Sequence, residues 1–206
     1  MRSWLLVLWS SLTVTLGCSA PTPIVLGCRT GATAEQLAAR PSPLDSVVFS
    51  VGGRGAQICY GRPSARARQV FGGIVPYDTL WRTGANEPTI LHLPFEARIA
   101  GLRVPAGDYS IYSIPGRKQF TLIINKSTSQ WGITAPERGQ DGVMYQSAYS
   151  DKVRRQELGR VPVAIESIEH VEQLLMRAEP AGDQAVDILV EWERTRIRIP
   201  FRVISR

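Results

Sequence analysis

The densest group of chemically versatile side chains lies between residues 81 and 87. Trp81, Arg82, Asn86 and Glu87 combine a flat aromatic ring, a forked cation, an amide and a carboxylate within seven residues. The glycine and proline around them predict an irregular loop, and loops held on a rigid scaffold are where binding residues tend to gather. Such a set is suited to binding a polar ligand through hydrogen bonds and ring stacking.

The stretch that precedes this group is basic. Residues 46–77 contain no acid, and Arg54, Arg62, Arg66 and Arg68 give the window a charge of +4, while the whole chain of 206 residues carries +6. Excess arginine of this kind permits contact with polyanions. Arg62, Arg66 and Arg68 therefore join the candidate ligand-binding residues.

Catalysis has weaker support in the sequence. His92 and His170 are the two histidines, and neither belongs to a nucleophile–base pattern or to a spaced set of zinc ligands. Alternation in TILHLPF places His92 opposite Leu91 and Leu93, which is typical of a surface or satisfied sheet histidine. We expect no metal site and no cofactor.

Glu87 is the sole acid in the segment WRTGANE. A glycosidase needs two carboxylates about 5 to 10 Å apart, one of them with a raised pKa, and Asp108, Glu191 or Glu193 approach Glu87 only if the fold brings them there. A buried carboxylate needs a charged or hydrogen-bonding partner. The sequence therefore favours an ion pair with Arg82 or a neighbouring arginine, then a ligand-binding role, and only weakly a role as catalytic acid or base.

The N-terminus has the layout of an export signal. One arginine precedes an uncharged, largely apolar run over residues 4–16, which is too short to span a bilayer. Cys18 follows a glycine at the end of this run and resembles the lipidated cysteine of the bacterial lipobox, although a threonine stands where leucine is preferred. We predict a lipoprotein-type signal peptide over 1–17 and a lipid anchor at Cys18, with Cys28 as the alternative, in the cell envelope. Plain secretion is expected if the lipobox is not used.

Residues 18–44 are small, polar and rich in proline, and they predict a tether between the membrane and a domain over 45–206. If Cys18 is acylated in an oxidising compartment, Cys28 and Cys59 remain. They either pair or stay as two free thiols.

The elements that must position the candidate residues are strands. Apolar residues alternate over 47–51, 120–124 and 186–192, and turn sequences such as GGRG, AGD and PGR recur at short intervals. This pattern predicts an all-β, mainly antiparallel single domain, a β-sandwich or barrel-like sheet with short helical turns. Residues 168–178 fit either a helix or a strand with a slip in register.

The apolar pattern changes parity near the C-terminus. Apolar residues are even-numbered up to Trp192, whereas from Thr195 onward the odd-numbered positions form the series. Since a one-residue slip reverses the faces of a strand, a tight turn or bulge must lie near 193–194. If a hairpin forms there, Glu191 and Arg196 become cross-strand partners.

Four motif blocks, taken in order, resemble one bacterial family. YGRPSARARQVFGGIVPYDTLWRTGANEPT, VPAGDYSIYSIPG, LIINKSTSQWG and VEWERTRIRIPF are similar to domain of unknown function 2911, over roughly Ser42 to Phe201. The resemblance implies an exported, one-domain, β-rich protein without an established activity. The chain departs from the family at Cys59, where an acidic residue is more usual.

Two further residues complete the candidate group. Asn125 follows the strand over 120–124, and Trp131 lies in the turn after it, so a single cleft forms if this turn packs over WRTGANE. For Trp81 and Trp131 a core position is favoured over a place in this cleft, because tryptophans of a β-sandwich usually fill the core.

These observations predict a noncatalytic envelope binding or accessory module for an envelope glycan or anionic ligand. The alternative is a hydrolase of an envelope glycan with Glu87 as acid or base. Nucleic acid is not an expected partner, because the export signal argues against it and no binding motif with stacking aromatics is present. The oligomeric state is left open.

Overall fold

A computed structural model describes residues 27–28, 30–130, 136–146 and 149–204. The predicted signal peptide, the proposed lipidation site Cys18 and the candidate Trp131 lie outside this part of the chain. Within the described ranges, no helix has the length and apolar character needed to cross a membrane.

The described residues form eleven strands and two one-turn helices. The elements are α1 (Ala34–Ala38), β1 (Leu44–Val51), β2 (Arg54–Gly61), β3 (Thr89–Leu93), β4 (Ala97–Ile99), β5 (Leu102–Val104), β6 (Gly107–Pro115), β7 (Gln119–Asn125), β8 (Pro136–Arg138), β9 (Met144–Gln146), α2 (Asp151–Arg154), β10 (Glu157–Pro180) and β11 (Ala185–Val203).

Nine of these strands form one sheet in the order β1-β2-β3-β6-β7-β10-β11-β4-β5, and β8 pairs with β9. Every pairing between these strands is antiparallel. The predicted all-β, mainly antiparallel class is confirmed. The sheet is open, with β1 and β5 at its edges.

The long strand β10 connects two halves of this sheet. Residues 157–164 pair with β7, and residues 165–180 pair with β11. The pairing with β11 shifts register between Ser167 and Val171 and again between Val171 and Leu175. For residues 168–178, the strand with a slip in register is therefore the correct alternative.

A bulge in the pairing of β10 with β11, at Glu193, explains the change of apolar parity. Glu193 has a φ of 55°, whereas β11 continues unbroken to Val203. Trp192 before the bulge and Ile197 after it both lie in the main core, because one residue in the left-handed region turns the following side chains to the other face. The predicted irregularity is a bulge and not a hairpin, yet it still brings Arg196 within 2.6 Å of Glu191.

The other face of β2, β3, β6 and β7 is also covered. Four polar residues on this face, Gln57, His92, Ser110 and Asn125, are buried. A second apolar cluster containing Leu80 and residues from β6, β7, β9 and α2 packs over part of it. The segments that connect the strands thereby pack against the sheet, which positions the side chains of the candidate site.

Candidate functional site

The N-terminal arm, residues 27–28 and 30–43, is covalently attached to the sheet. Cys28 forms a disulfide with Cys59 of β2, with a Cα–Cα distance of 5.6 Å and a sequence separation of 31. Of the two alternatives for these cysteines, the structure contains the pair. The described part of the predicted tether is therefore bonded to the domain instead of extending freely from it.

Local sequence explains the one helical turn of the arm. The Thr33 side chain accepts a hydrogen bond from the Gln36 backbone, and the Gln36 side chain accepts one from the Thr33 backbone. This reciprocal capping satisfies two donors that would otherwise lack partners at the start of α1. The turn then leads the chain to Arg40.

Glu87 fastens the two ends of the arm to the domain. Nη1 of Arg40 donates to both carboxylate oxygens, at 2.8 and 2.7 Å, and Oγ1 of Thr30 donates at 2.6 Å. The side chains of Arg40 and Glu87 are only 16% and 13% exposed. Glu87 is thus ion-paired, as the favoured prediction had it, but its partner is an arginine of the arm and not Arg82.

The pKa of Glu87 is lowered from its ordinary value. Burial by itself would raise this pKa, but the hydrogen bonds from Thr30 and Arg40 outweigh burial by stabilising the carboxylate. Glu87 is therefore ionised at neutral pH. This is the opposite of the raised pKa that a glycosidase acid requires.

Two adjoining cavities open where the arm meets the domain, and we call them together the arm cleft. One has a volume of about 550 Å³ and the other about 250 Å³, and Gly31 and Glu87 line both. The other described residues that line them are Ala32, Gln36 and Arg40 in the larger cavity and Thr30, Pro88, Ile90, Thr128, Ser129 and Gln130 in the smaller one.

The walls of the arm cleft combine apolar surface with several hydrogen-bonding groups. Hydroxyls come from Thr30, Thr128 and Ser129, and the guanidinium of Arg40 gives hydrogen bonds within the described residues only through Nη1. Gln130 is held in place, because its amide donates to the hydroxyls of Ser110 and Tyr112 on β6 and to the Ser127 carbonyl. The arrangement can donate to and accept from a ligand rich in hydroxyl groups.

Arg82 and Asn86 hold the loop that carries Glu87. The buried Arg82 donates to the backbone carbonyl of Asn86, and burial lowers its pKa, opposed by the charges of Tyr112 and Glu87. Asn86 has a φ of 63° and donates through Nδ2 to the Ser42 carbonyl at 2.9 Å. Neither residue lines the arm cleft.

Trp81 and Asn125 have structural positions. The Trp81 ring stacks on Trp192 at 5.8 Å in the main core, and its Nε1 donates to a backbone carbonyl. Asn125 is fully buried, donates to Tyr149 and Val153, and accepts from the backbone of the segment that follows it. The predicted cleft therefore does not include Trp81 or Asn125, although the turn after β7 does reach Glu87.

The three candidate arginines of the basic window, Arg62, Arg66 and Arg68, are also outside the arm cleft. Arg62 pairs with Asp45 at 3.0 Å and donates to a backbone carbonyl of β10. Arg66 and Arg68 are exposed in a tight loop in which Arg66 has a φ of 52° and Arg68 donates back to that loop's own carbonyls.

Three of the C-terminal arginines lie in an ion-pair network along β10 and β11. Arg196, Arg198 and Arg202 pair with carboxylates on the same two strands, which are Glu166, Glu179, Asp187 and Glu191. These arginines are largely neutralised by neighbours within the sheet. They therefore do not form a free basic face.

The acids considered as partners for catalysis are engaged elsewhere. Glu191 binds arginines of β10 and β11, Glu193 accepts from the backbone of Val70, and Asp108 contacts His92. Glu87 is the one acid among the described residues that line the arm cleft. The described geometry does not provide a two-carboxylate site.

His92 differs from the surface or satisfied histidine that alternation predicts. It is 5% exposed, and its Nδ1 lies 2.8 Å from Oδ1 of Asp108 on β6. Its Nε2 and the neighbouring Oε1 of Gln57 are buried without a hydrogen-bond partner within the described chain. No group of three or more metal-binding side chains occurs among the residues that the structure describes.

Sequence reasoning missed the arm's contribution to the cleft. Thr30, Gln36 and Arg40 lie in a segment predicted as tether, in which the AEQLAAR stretch and the capping pattern T-x-x-Q at 33–36 indicate a helical turn but not its contact with the domain. The hydroxyls at 128 and 129 lie in the predicted turn after β7 and line the cleft, whereas Asn125 is buried and does not line it.

A protein-family model described as "Protein of unknown function (DUF2911)" matches residues 42–201. The match includes the domain side of the arm cleft and leaves residues 30–40 outside. Searches of curated proteins and of solved structures found no match.

Proposed function

The chain belongs to the DUF2911 family, and from that premise we propose that it is an exported, lipid-anchored envelope protein that binds a hydroxyl-rich glycan without catalysis. The observation that carries this proposal is the arm cleft, built around the Arg40–Glu87 ion pair at the junction of arm and domain. The protein would bind the glycan through hydrogen bonds from both the arm and the domain side of the cleft.

The disulfide supports export. Structural disulfides persist in oxidising compartments and are rare in the cytosol of most organisms. Since the Cys28 sulfur is bonded to Cys59, Cys28 is not available for a thioether-linked lipid. Cys18 is therefore the lipidation site that we propose.

The chemistry of the cleft favours neutral hydroxyl groups over an anion. Arg40 is neutralised by Glu87, so the pair presents donors and an acceptor side by side with little net charge. Thr128 and Ser129 add hydroxyls, and Ile90 adds an apolar surface against which the face of a sugar ring can pack. Such a mixture is suited to an envelope glycan.

A noncatalytic role agrees with the state of Glu87. Its lowered pKa and the absence of a second acid from the described lining remove the two features that glycoside hydrolysis needs. The hydrolase alternative is accordingly the less supported one.

Binding can be tested with chitotetraose, cellotetraose and soluble peptidoglycan fragments, using calorimetry and two-dimensional NMR. We expect saturable binding of at least one of these probes, with shifted resonances at residues 128–130, and a loss of affinity of about tenfold in Thr128→Val because one good hydrogen bond contributes roughly 1.4 kcal/mol. Ser167→Ala, an exposed hydroxyl on β10, is the matched control. Lack of saturable binding by the wild type, or equal loss in the control, would refute the proposed ligand class.

The anchor is tested separately by metabolic labelling with a fatty acid. We expect label on the wild type and on Cys28→Ala, and none on Cys18→Ala. Label retained by Cys18→Ala, or no label on any of the three, would remove the claim of lipidation at Cys18.

A further inference from the structure

We infer that the Cys28–Cys59 disulfide controls the arm cleft, so that reduction by a dithiol releases the arm and abolishes ligand binding. This inference rests on the proposed function, because it concerns the regulation of the same site. It is carried by how the arm is attached and by which walls of the cleft the arm supplies.

The arm supplies one wall of the cleft. Thr30, Gly31, Ala32, Gln36 and Arg40 all come from it, whereas the opposite wall comes from residues 87–90 and 128–130. If the arm leaves the domain, the larger cavity keeps only Glu87 among its described lining residues. A ligand that bridges the two walls then loses most of its contacts.

Little apolar packing holds the arm in place. The helix α1 has no buried residue, and Leu37 is the one half-buried side chain within it. Thr30 and Arg40 both bind the single carboxylate of Glu87. Among the described residues, docking of residues 30–40 therefore depends on the carboxylate of Glu87 and on the disulfide two residues before Thr30. The arm is also held just after Arg40, where the carbonyls of Ser42 and Pro43 accept hydrogen bonds from Asn86 and Arg62.

The two sulfurs differ in how they can be reached. Cys59 is 4% exposed in β2, whereas Cys28 is half-buried. The thiolate of a dithiol reductant can attack Sγ of Cys28, which breaks the Sγ–Sγ bond and releases Cys59 as a thiolate that takes up a proton. The second thiol of the reductant then closes its own disulfide and frees Cys28 as a thiol, so two electrons and two protons pass to the protein.

Binding and reduction must influence each other equally. A ligand that bridges the arm and the domain binds only the docked arm, and it therefore opposes reduction by the same factor by which reduction weakens binding. Release of the arm by reduction needs no movement within the sheet, because Cys59 stays in β2 whether it is oxidised or reduced.

The test compares oxidised and dithiothreitol-reduced full-length protein that carries Cys18→Ser, which leaves the disulfide intact. Hydrogen exchange is followed in residues 30–40 and in β6–β7, and chitotetraose is titrated into both forms. Reduction should accelerate exchange in residues 30–40 on the order of 10²-fold, as the chain-entropy model gives for a loop of this length, and should weaken chitotetraose binding by a comparable factor. A second variant, Cys18→Ser with Cys28→Ser, should show the same exchange without reductant.

The outcomes separate the two proposals. If the amides of residues 30–40 stay equally protected after reduction, the inference that reduction releases the arm is overturned, whether or not oligosaccharide binds. Loss of protection in β6–β7 together with the arm would also overturn it, because the disulfide would then support the whole domain. Failure of the oxidised protein to bind chitotetraose, cellotetraose and the peptidoglycan fragments alike, with the arm released as expected, would instead overturn the glycan function.

Discussion

The ion pair between Arg40 and Glu87 offers the most direct test of how the arm is held. Arg40→Met keeps most of the aliphatic stem and removes the charge, while Glu87→Gln keeps the shape of the side chain and removes its negative charge. With the double variant they form a double-mutant cycle, which isolates the energy that depends on both partners.

The magnitude follows from the burial and geometry of the pair. Exposed ion pairs contribute about 0.2–1 kcal/mol, and breaking a fully buried pair costs about 3–5 kcal/mol. Arg40 and Glu87 lie between these limits at 16% and 13% exposure, with hydrogen bonds of 2.7 and 2.8 Å. We therefore expect a coupling energy of about 1–2 kcal/mol, equivalent to a change of about 5- to 30-fold in the opening equilibrium of the arm.

Hydrogen exchange in α1 is the appropriate assay, because the amides of Leu37 and Ala39 donate to carbonyls within the arm. Urea unfolding measures the rest of the domain in parallel. Arg98→Met, an exposed arginine on β4, combined with Glu87→Gln is the matched control and should show no coupling. If the effects of Arg40→Met and Glu87→Gln simply add, with coupling below about 0.5 kcal/mol, the pair does not fasten the arm.

Three further outcomes are expected. The pKa of Glu87 in the folded protein is lowered, so Glu87 stabilises the docked arm fully above the unfolded pKa of about 4.3, and this stabilisation is lost as pH falls through the folded pKa. Hydrogen exchange, corrected for the pH dependence of the intrinsic rate, should show the arm of the wild type undocking at acid pH. The same pH dependence in Glu87→Gln would contradict this prediction. Gly61→Ala should lower the free energy of unfolding in urea by about 1–3 kcal/mol, because a Cβ at this position would clash with the Ala85 carbonyl oxygen. Gly27→Ala is the control, since a Cβ there meets nothing within 4 Å, and equal effects of the two variants would refute the packing argument. Trp81→Phe should lower the free energy of unfolding by about 1–3 kcal/mol, because it removes the hydrogen bond of the indole nitrogen and part of the ring contact with Trp192, and it should leave oligosaccharide affinity unchanged. A loss of affinity with unchanged stability would instead show that the Trp81 ring contacts the ligand.

Much of the fold was predictable because strand patterns are local. Side chains alternate along a strand, so the apolar residues of β7 and β11 indicated which face each strand buries. The same rule located the bulge at Glu193 from the change of parity alone. Residues 168–178 stayed ambiguous because two register shifts within β10 blur the alternation.

The candidate site was less predictable because its members are far apart in the chain. Arg40 and Glu87 are 47 residues apart, and the local sequence offered Arg82 as an equally charged and much nearer partner. Only the packed loop shows that Arg82 turns to the carbonyl of Asn86. His92 shows the same limit. Alternation predicted the face of β3 on which it lies, but not that other segments of the chain bury this face.

The sequence by itself determined the family, the strand-rich architecture and the loop in which Glu87 lies, because motif order and side-chain alternation are properties of consecutive residues. The tertiary structure alone decided that Cys28 bonds to Cys59, that the arm folds back onto Glu87, and that a cleft forms between arm and domain. Those contacts depend on which distant surfaces bury one another, and no spacing along the chain encodes that choice directly.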